Sequence, residues 1–267
     1  MKEIDEDIIQ KYVMLSLMKG IGVVTQNALL SLFESISMLF EAKEGLLLSK
    51  EPERKVGRKR LEAFFRQRED PSLTREAGEI VKAAREAKID ILVREEMNYP
   101  KRFLHLQDMP AILYIKGDLW INSILESVGI VGSRRCSQTG KNEAIRIAKE
   151  TVKKDGAVIS GLAKGIDSYA HTAALKNGGY TIAVLGNGAD ICYPHEHERL
   201  YESIAKNGCI MTEYPPGTMP RGYSFPRRNR LIAALSDCLY VIDVKGKSGT
   251  QTTVEYASKY GRTVTII

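Results

Sequence analysis

Phe225, Arg227, Arg228, Asn229 and Arg230 crowd together in the run FPRRNRLIAALS, at 225 to 236. A phenylalanine ring beside guanidinium groups is chemistry that suits unpaired nucleic acid, because the ring offers a stacking face and the cations offer charge-assisted hydrogen bonds to phosphate. Arg227 and Arg230 lie three apart and so share one helical face, with Arg228 on the neighbouring one. Leu231, Ile232, Ala234 and Leu235 turn the other side of the helix towards a core. Taken alone, the run is also an ordinary arginine-rich, solvated helix end.

A second cationic turn lies upstream, in SVGIVGSRRCSQTGKNEAIRIAKETV. It reads as a buried strand ending near Val131, a glycine-and-serine turn, and an amphipathic helix. Gly132 lets the backbone approach a ligand closely, Ser133 follows it, and the first amides of the helix donate towards an anion that the helix dipole also favours. Arg134 and Arg135 add full charges at the same place. The alternative is a tight turn carrying surface arginines. The segment has no GxxxxGK[ST] phosphate loop and GIVGS does not complete a GxGxxG fingerprint, so no nucleotide cofactor is expected.

Positioning these residues requires a sheet. AVIS, TIAVLG, CIMTEY, CLYVIDV and RTVTII are short apolar runs separated by helical patterns, which predicts an α/β, doubly wound, mostly parallel sheet buried on both faces. Ligands of such sheets gather at the carboxyl ends of the strands. The runs GSRR, SGLAKGID, GNGADICYPHEHE, TEYPPGTMPRGYSFPRRNR and KSGTQTTVE all fall there, and together they predict one rim rich in glycine, arginine and lysine.

A net charge of +6 and a pI near 9.0 favour an anionic partner without identifying it. The length of 267 residues and the 43% hydrophobic content allow one large domain and a small one. No run of eighteen apolar residues occurs, and the opening MKEIDEDII is acidic where a signal segment is basic, so a cytoplasmic location is expected. Cys136, Cys192, Cys209 and Cys238 form no CxxC pair, which argues against a disulfide framework; Cys209 and Cys238 read as small core residues. His195 and His197 in PHEHER do not share a helix face and have no evident third ligand, so no metal is expected. No acid, base and nucleophile trio assembles; Asp167 or Ser168 in GIDSYAH reads as a helix cap.

The chain resembles the DNA-processing protein A family, DprA or Smf. The residues that carry the resemblance are GIVGSRRCSQTG at 129 to 140, SGLAKGIDSYAHTAAL at 160 to 175 and TIAVLGNGADICYPHEHERL at 181 to 200. It continues in GCIMTEYPPGT at 208 to 218, FPRRNRLIAALS at 225 to 236 and KSGTQTTVEYA at 247 to 257, with NYPKRFLHLQDMPAILYIKGDL upstream. The resemblance implies an extended Rossmann-like domain behind a small helical, sterile-alpha-motif-like domain. It also implies a non-enzymatic, cytoplasmic homodimer that binds and protects single-stranded DNA and loads the RecA recombinase during natural transformation. Residue by residue it gives Gly132, Ser133 and Arg134 as phosphate contacts, with Arg135 at the same turn. Phe225 becomes a base-stacking residue, and Arg227, Arg228 and Arg230 become cationic contacts. Arg221 in MPRGYSF and Lys164 in SGLAKGID join them by charge and neighbourhood.

The resemblance has departures. Many members carry a C-terminal winged-helix-like domain that this sequence does not match, and RTVTII stops where the family continues through a proline-glycine turn, so the last strand is expected to lack its usual cover. KSGTQTTVE differs from the family's alanine-rich version. The same run also resembles the signature of lysine-decarboxylase-like nucleoside-monophosphate phosphoribohydrolases. That second reading makes Glu255 catalytic and gives Thr250 a phosphate, although the fuller PGGxGTxxE pattern is absent. A third reading is a scaffold for protein contacts alone.

Residues 1–70 have a different texture. YVMLSLMKGIG and TQNALLSLFESISMLFEA show helical spacing around the turn Lys19-Gly20-Ile21-Gly22, which predicts a helix-hairpin-helix or an ordinary turn in a small bundle. KEPERKVGRKR reads as a solvated basic segment, helical after Val56, and LTREAGEIVKAAREAK with IDILV reads as the first helix and strand of the larger domain, 71–267.

Overall fold

A computed structural model describes residues 4–47, 50–244 and 249–267. The chain divides into two compact units, one of Met1–Tyr99 with Leu104–Leu113, the other of Pro100–Phe103 with Tyr114–Ile267.

The first unit is built from α1 (Glu6–Leu17), α2 (Val23–Leu30), α3 (Ile36–Glu41), α4 (Glu44–Leu47), α5 (Lys50–Val56), α6 (Arg58–Arg68), α7 (Pro71–Glu86) and the short strand β1 (Asp90–Val93). Its apolar stripes meet in a core that contains Tyr12, Leu15, Leu29, Leu39, Leu61 and Phe64, with Phe40 edge-on to Phe64 at 5.5 Å between ring centres. The basic run 50–60 is helical on both sides of Gly57, whose φ of 89° suits glycine. Helix α7 starts cleanly because the Asp70 carboxylate accepts from Ser72 N at 2.9 Å and Pro71 takes the first helical position. It belongs to this unit, not to the sheet domain: Gln10 Nε2 donates to Thr74 O at 3.0 Å and Arg85 pairs with Glu6 at 2.6 Å, both from α1. The compact units therefore part later than residue 70, because α7 buries its apolar face against α1. The Lys19–Gly22 turn joins α1 to α2, but Gln67 spans it, accepting from Lys19 N at 2.7 Å and donating to Lys19 O at 3.0 Å. That amide is thus already occupied.

The second unit is a sheet with helices on it. Strand β2 (Ile112–Gly117) enters it at Tyr114, and β3 (Ser127–Gly132), α8 (Gln138–Lys153), β4 (Ala157–Ser160), α9 (Ile166–Lys176) and β5 (Tyr180–Val184) follow. The chain continues through α10 (Glu198–Asn207), β6 (Cys209–Thr212), α11 (Ser224–Leu235), β7 (Cys238–Ile242), α12 (Gly249–Lys259) and β8 (Thr263–Ile266). The order in this unit is β2-β6-β5-β4-β3-β7-β8, parallel from β6 to β8, with β2 antiparallel to β6 through Tyr114↔Thr212 and Gly117↔Cys209. This is the α/β, mostly parallel sheet that the apolar runs predict, and the Rossmann-like fold that the resemblance implies. Central strands carry Val128, Ile130, Val158, Ile159, Ile182 and Val184 at essentially zero exposure, as strands covered on both faces must. Cys209 is buried among them and Cys238 is half-buried at the start of β7.

Topology fixes where a ligand can sit. From β3 the chain moves to β4 on one side, while β7 lies on the other, so the connections diverge between β3 and β7 and leave a crevice at their carboxyl ends. Among the described residues no helix is long and apolar enough to cross a membrane.

Candidate nucleic-acid interface

A cavity of about 670 Å³ opens at that crevice, lined by Gly132, Ser133 and Arg134 after β3, by Phe225 and Arg228 of α11, and by Thr250 of α12. Gly132 pairs with Ile242 in the sheet, and a Cβ there would lie 2.2 Å from Ile242 O and 2.7 Å from Ile166 Cγ1. Only glycine fits. The turn is held from behind by Gly165, at φ 78°, where a Cβ would fall 2.3 Å from Ser133 O, and by Ile166 N donating to that oxygen at 3.2 Å. Backbone packing thus aims the turn outward and leaves Arg134 and Arg135 exposed at its tip.

The amides of α8 contribute less than the sequence suggests. Asp243, at φ 55° beyond β7, accepts from Ser137 N through Oδ2, and Ser137 Oγ caps the helix by accepting from Gly140 N at 3.1 Å. A carboxylate therefore already occupies part of the helix N-terminus and takes up its dipole. An incoming anion depends mainly on the arginine side chains.

Helix α11 separates its arginines by burial. Arg227 is 49% exposed in its side chain and sits 3.6 Å from Glu213, whose own side chain is 4% exposed. Arg230, 4% exposed, grips the two oxygens of Glu213 with Nη1 and Nη2 at 2.6 Å each and donates from Nη1 to Arg227 O at 2.9 Å. Burial works against its charge, but the Glu213 carboxylate outweighs it and raises the guanidinium pKa. Arg227 and Arg230 do share a face. The sequence expectation of two surface cations fails for Arg230, because Glu213, brought up by the segment after β6, takes its guanidinium inside.

Arg228 is 5% exposed and faces the opposite way, with Nη1 donating to Gly161 O at 2.8 Å and to Val184 O, and Nε donating to Asn229 Oδ1 at 3.2 Å. It ties the ends of β4 and β5 to α11. It still lines the cavity, and its Nη2 has no acceptor among the described residues. Burial pushes its pKa down to about 10, so it stays cationic at neutral pH. Asp167 stands behind it, accepting through Oδ2 from Gly161 N at 3.1 Å and Ala163 N at 3.3 Å. The expected cap of α9 is therefore something else: Gly165 is the N-cap, and Asp167 braces the preceding loop. Burial raises the Asp167 pKa, against the pull of Arg228 and the two amides.

A smaller hollow of about 60 Å³ continues the cavity, sharing Arg134, Phe225 and Arg228 with it and adding Lys164, Tyr193 and Pro194. Phe225 is half-buried, backed by Gly186, and its ring centre lies 5.6 Å from that of exposed Tyr193 at a tilt of 32°. Lys164 is exposed but engaged with Glu196 at 2.5 Å, which lowers the Glu196 pKa through that hydrogen bond. Arg221 is exposed and donates to Tyr223 Oη at 3.2 Å. Asn229 Nδ2 donates to Gly249 O at 3.1 Å and so fixes the start of α12. Sequence reasoning missed Tyr193, Glu213 and Asp243; none lies in a cationic run, and each acquires a role only through a partner distant in the chain.

His197 Nδ1 lies 3.0 Å from Leu162 O and His195 stands 3.9 Å from Glu198. No cluster of three metal-ligating side chains occurs among the described residues. Lys247 and Ser248 of the KSGTQTTVE run lie outside the described residues. From α12 the cavity is lined by Gly249, Thr250 and Thr253, whereas Glu255 is exposed and lines neither hollow.

Protein Smf of Synechocystis sp. is 33% identical over 252 residues, covering 93% of this chain and 62% of that protein. The DNA processing protein DprA of Bacillus subtilis is 37% identical over 185 residues, covering 69% and 62%. The chain spans about three fifths of the length of these relatives. The X-ray structure of DNA processing protein A from Streptococcus pneumoniae superposes with a TM-score of 0.79 at 29% identity, covering all of this chain and 87% of that one. A Helicobacter pylori DNA processing protein A, solved for its single-stranded DNA binding mode, gives 0.62 at 34% identity over 67% of this chain and 80% of that one. Residues 90–267, the sheet and its rim included, match the family model described as DNA recombination-mediator protein A, and the chain belongs to that family.

Proposed function

We propose that this protein binds single-stranded DNA along the cleft at the carboxyl ends of β3, β4, β5 and β7, without sequence preference and without catalysis. The observation that carries the reading is a pair of hollows that share exposed Arg134, Phe225 and the buried cation Arg228, the smaller also lined by Tyr193, whose ring meets that of Phe225. In this arrangement Gly132, Ser133, Arg134 and Arg135 meet the phosphates, and Arg228 offers its spare nitrogen from below. Lys164, Arg221 and Arg227 extend the positive lip, Phe225 supplies a stacking ring, and Arg230 braces the rim through Glu213. Phosphate contacts of this kind hold every sequence alike. The cleft suits a single strand, whose bases are free to stack on side chains.

The cellular role that fits is recombination mediation: a cytoplasmic homodimer that protects incoming single strands and loads a RecA-type recombinase on them during DNA uptake. Its support is the family itself and the single-stranded DNA binding for which the Helicobacter pylori relative was solved. The phosphoribohydrolase reading finds little support in the exposed position of Glu255.

The test is fluorescence anisotropy of labelled oligothymidine against a matched duplex over a range of salt. The single strand is expected to bind tightly and with salt dependence, and Arg134→Ala is expected to lower the slope of log K against log[salt] by about 0.7. No binding of either DNA form, together with hydrolysis of nucleoside monophosphates, would transfer the site to the enzyme reading.

A further inference from the structure

We infer that Tyr193 is a second base-stacking residue, and that the platform offered to a base is the outer face of its ring with Phe225 behind it. The inference rests on the single-strand reading above.

Tyr193 leaves the loop after β5 beside Pro194 and is 44% exposed, although its ring lies against another aromatic. An aromatic buried for packing would hide more of itself, and its hydroxyl has no partner among the described residues. The spacing of the two rings decides how a base can approach. Sandwiching a base needs ring centres about 6.8 Å apart, twice the stacking rise of about 3.4 Å, whereas Tyr193 and Phe225 are 5.6 Å apart. Phe225 packs tightly on Gly186, where a Cβ would lie 3.0 Å from Phe225 Cδ1, so its ring has little room to shift. A base therefore adds to the open side of Tyr193, extending a two-ring stack to three.

Charge around the ring supports the same geometry. Arg134 and Lys164 line the hollow with Tyr193, so a nucleotide stacked on the ring has cations within reach of its phosphate. Lys164 is held by Glu196, three residues beyond Tyr193, in an exposed ion pair that a phosphate can replace in part.

The test compares wild type, Tyr193→Phe, Tyr193→Leu and Tyr193→Ala on oligothymidine carrying one 2-aminopurine, with thermal melts to confirm the fold. Tyr193→Ala is expected to weaken single-strand binding about five- to 150-fold, the range of one lost stack. The salt slope should not change, since no phosphate contact is removed. Tyr193→Phe should retain both affinity and the quenching of 2-aminopurine, and Tyr193→Leu should lose the quenching while keeping the apolar bulk. If wild type binds but all variants match it in affinity and quenching, the inference is overturned and the single-strand reading stands. If wild type binds no single strand, both fall.

Discussion

Arg230 gives the sharpest prediction, because its type and position suggest a DNA contact while its surroundings assign it to the fold. Its guanidinium and the Glu213 carboxylate are each 4% exposed and meet through two hydrogen bonds of 2.6 Å. Removing one member of such a pair leaves the other charged and buried, which costs about 3–5 kcal/mol. Arg227, 3.6 Å from Glu213, partly compensates the stranded carboxylate, so Arg230→Ala is expected near the lower end, about 3 kcal/mol. At about 2–4 °C per kcal/mol for a unit of this size, that is a fall of roughly 6–12 °C in Tm. Glu213→Leu combined with Arg230→Met removes both charges and fills the space, and is expected to recover most of the loss. Urea unfolding of wild type and these two variants gives the comparison, and oligothymidine anisotropy on the folded proteins gives the second readout. The reasoning is refuted if Arg230→Ala costs less than about 1 kcal/mol while single-strand affinity drops tenfold, which is the signature of a surface contact.

Gly132→Ala places a Cβ 2.2 Å from a backbone oxygen of β7 that has no room to move within the sheet, so loss of the folded sheet domain or a Tm reduced by many degrees is expected on melting. His171 is fully buried with its pKa pushed down to about 3 by burial, and its Nδ1 lies 2.7 Å from Thr181 Oγ1. The unfolded chain binds a proton near pH 6.5 that the folded chain refuses, so this residue's contribution is intact above 6.5 and is lost as pH falls towards 3. Replacing it by leucine should flatten the stability-versus-pH curve in that window by up to about 1.4 kcal/mol per pH unit, read by urea titration at several pH values. An unchanged slope would show that His171 does not carry it.

Much of this molecule is legible locally. Apolar runs of four to seven residues alternating with helical patterns require a covered parallel sheet, and the glycine and arginine runs between them must then gather at the strand ends. Phe225, Arg134 and Gly132 were recognisable because their neighbours in sequence supply their context. The antiparallel β2 was not: ILYIKG is an apolar strand in any orientation, and its direction is set only by its pairing with β6. Nor did α7 announce its unit, since an amphipathic helix shows that it has a partner but not which one.

The arginines of α11 divide the two kinds of knowledge most clearly. The spacing of Arg227, Arg228 and Arg230 determined their relative directions around the helix, because 3.6 residues per turn is a property of the backbone alone. Which of them meets water was decided by Glu213, Gly161 and Val184, delivered by three other strands. A carboxylate seventeen residues away drew one guanidinium into the interior, and two strand-end carbonyls drew in another. Charge is written in the sequence. Its accessibility depends on which groups the sheet brings within hydrogen-bond distance, and that is a property of the tertiary structure.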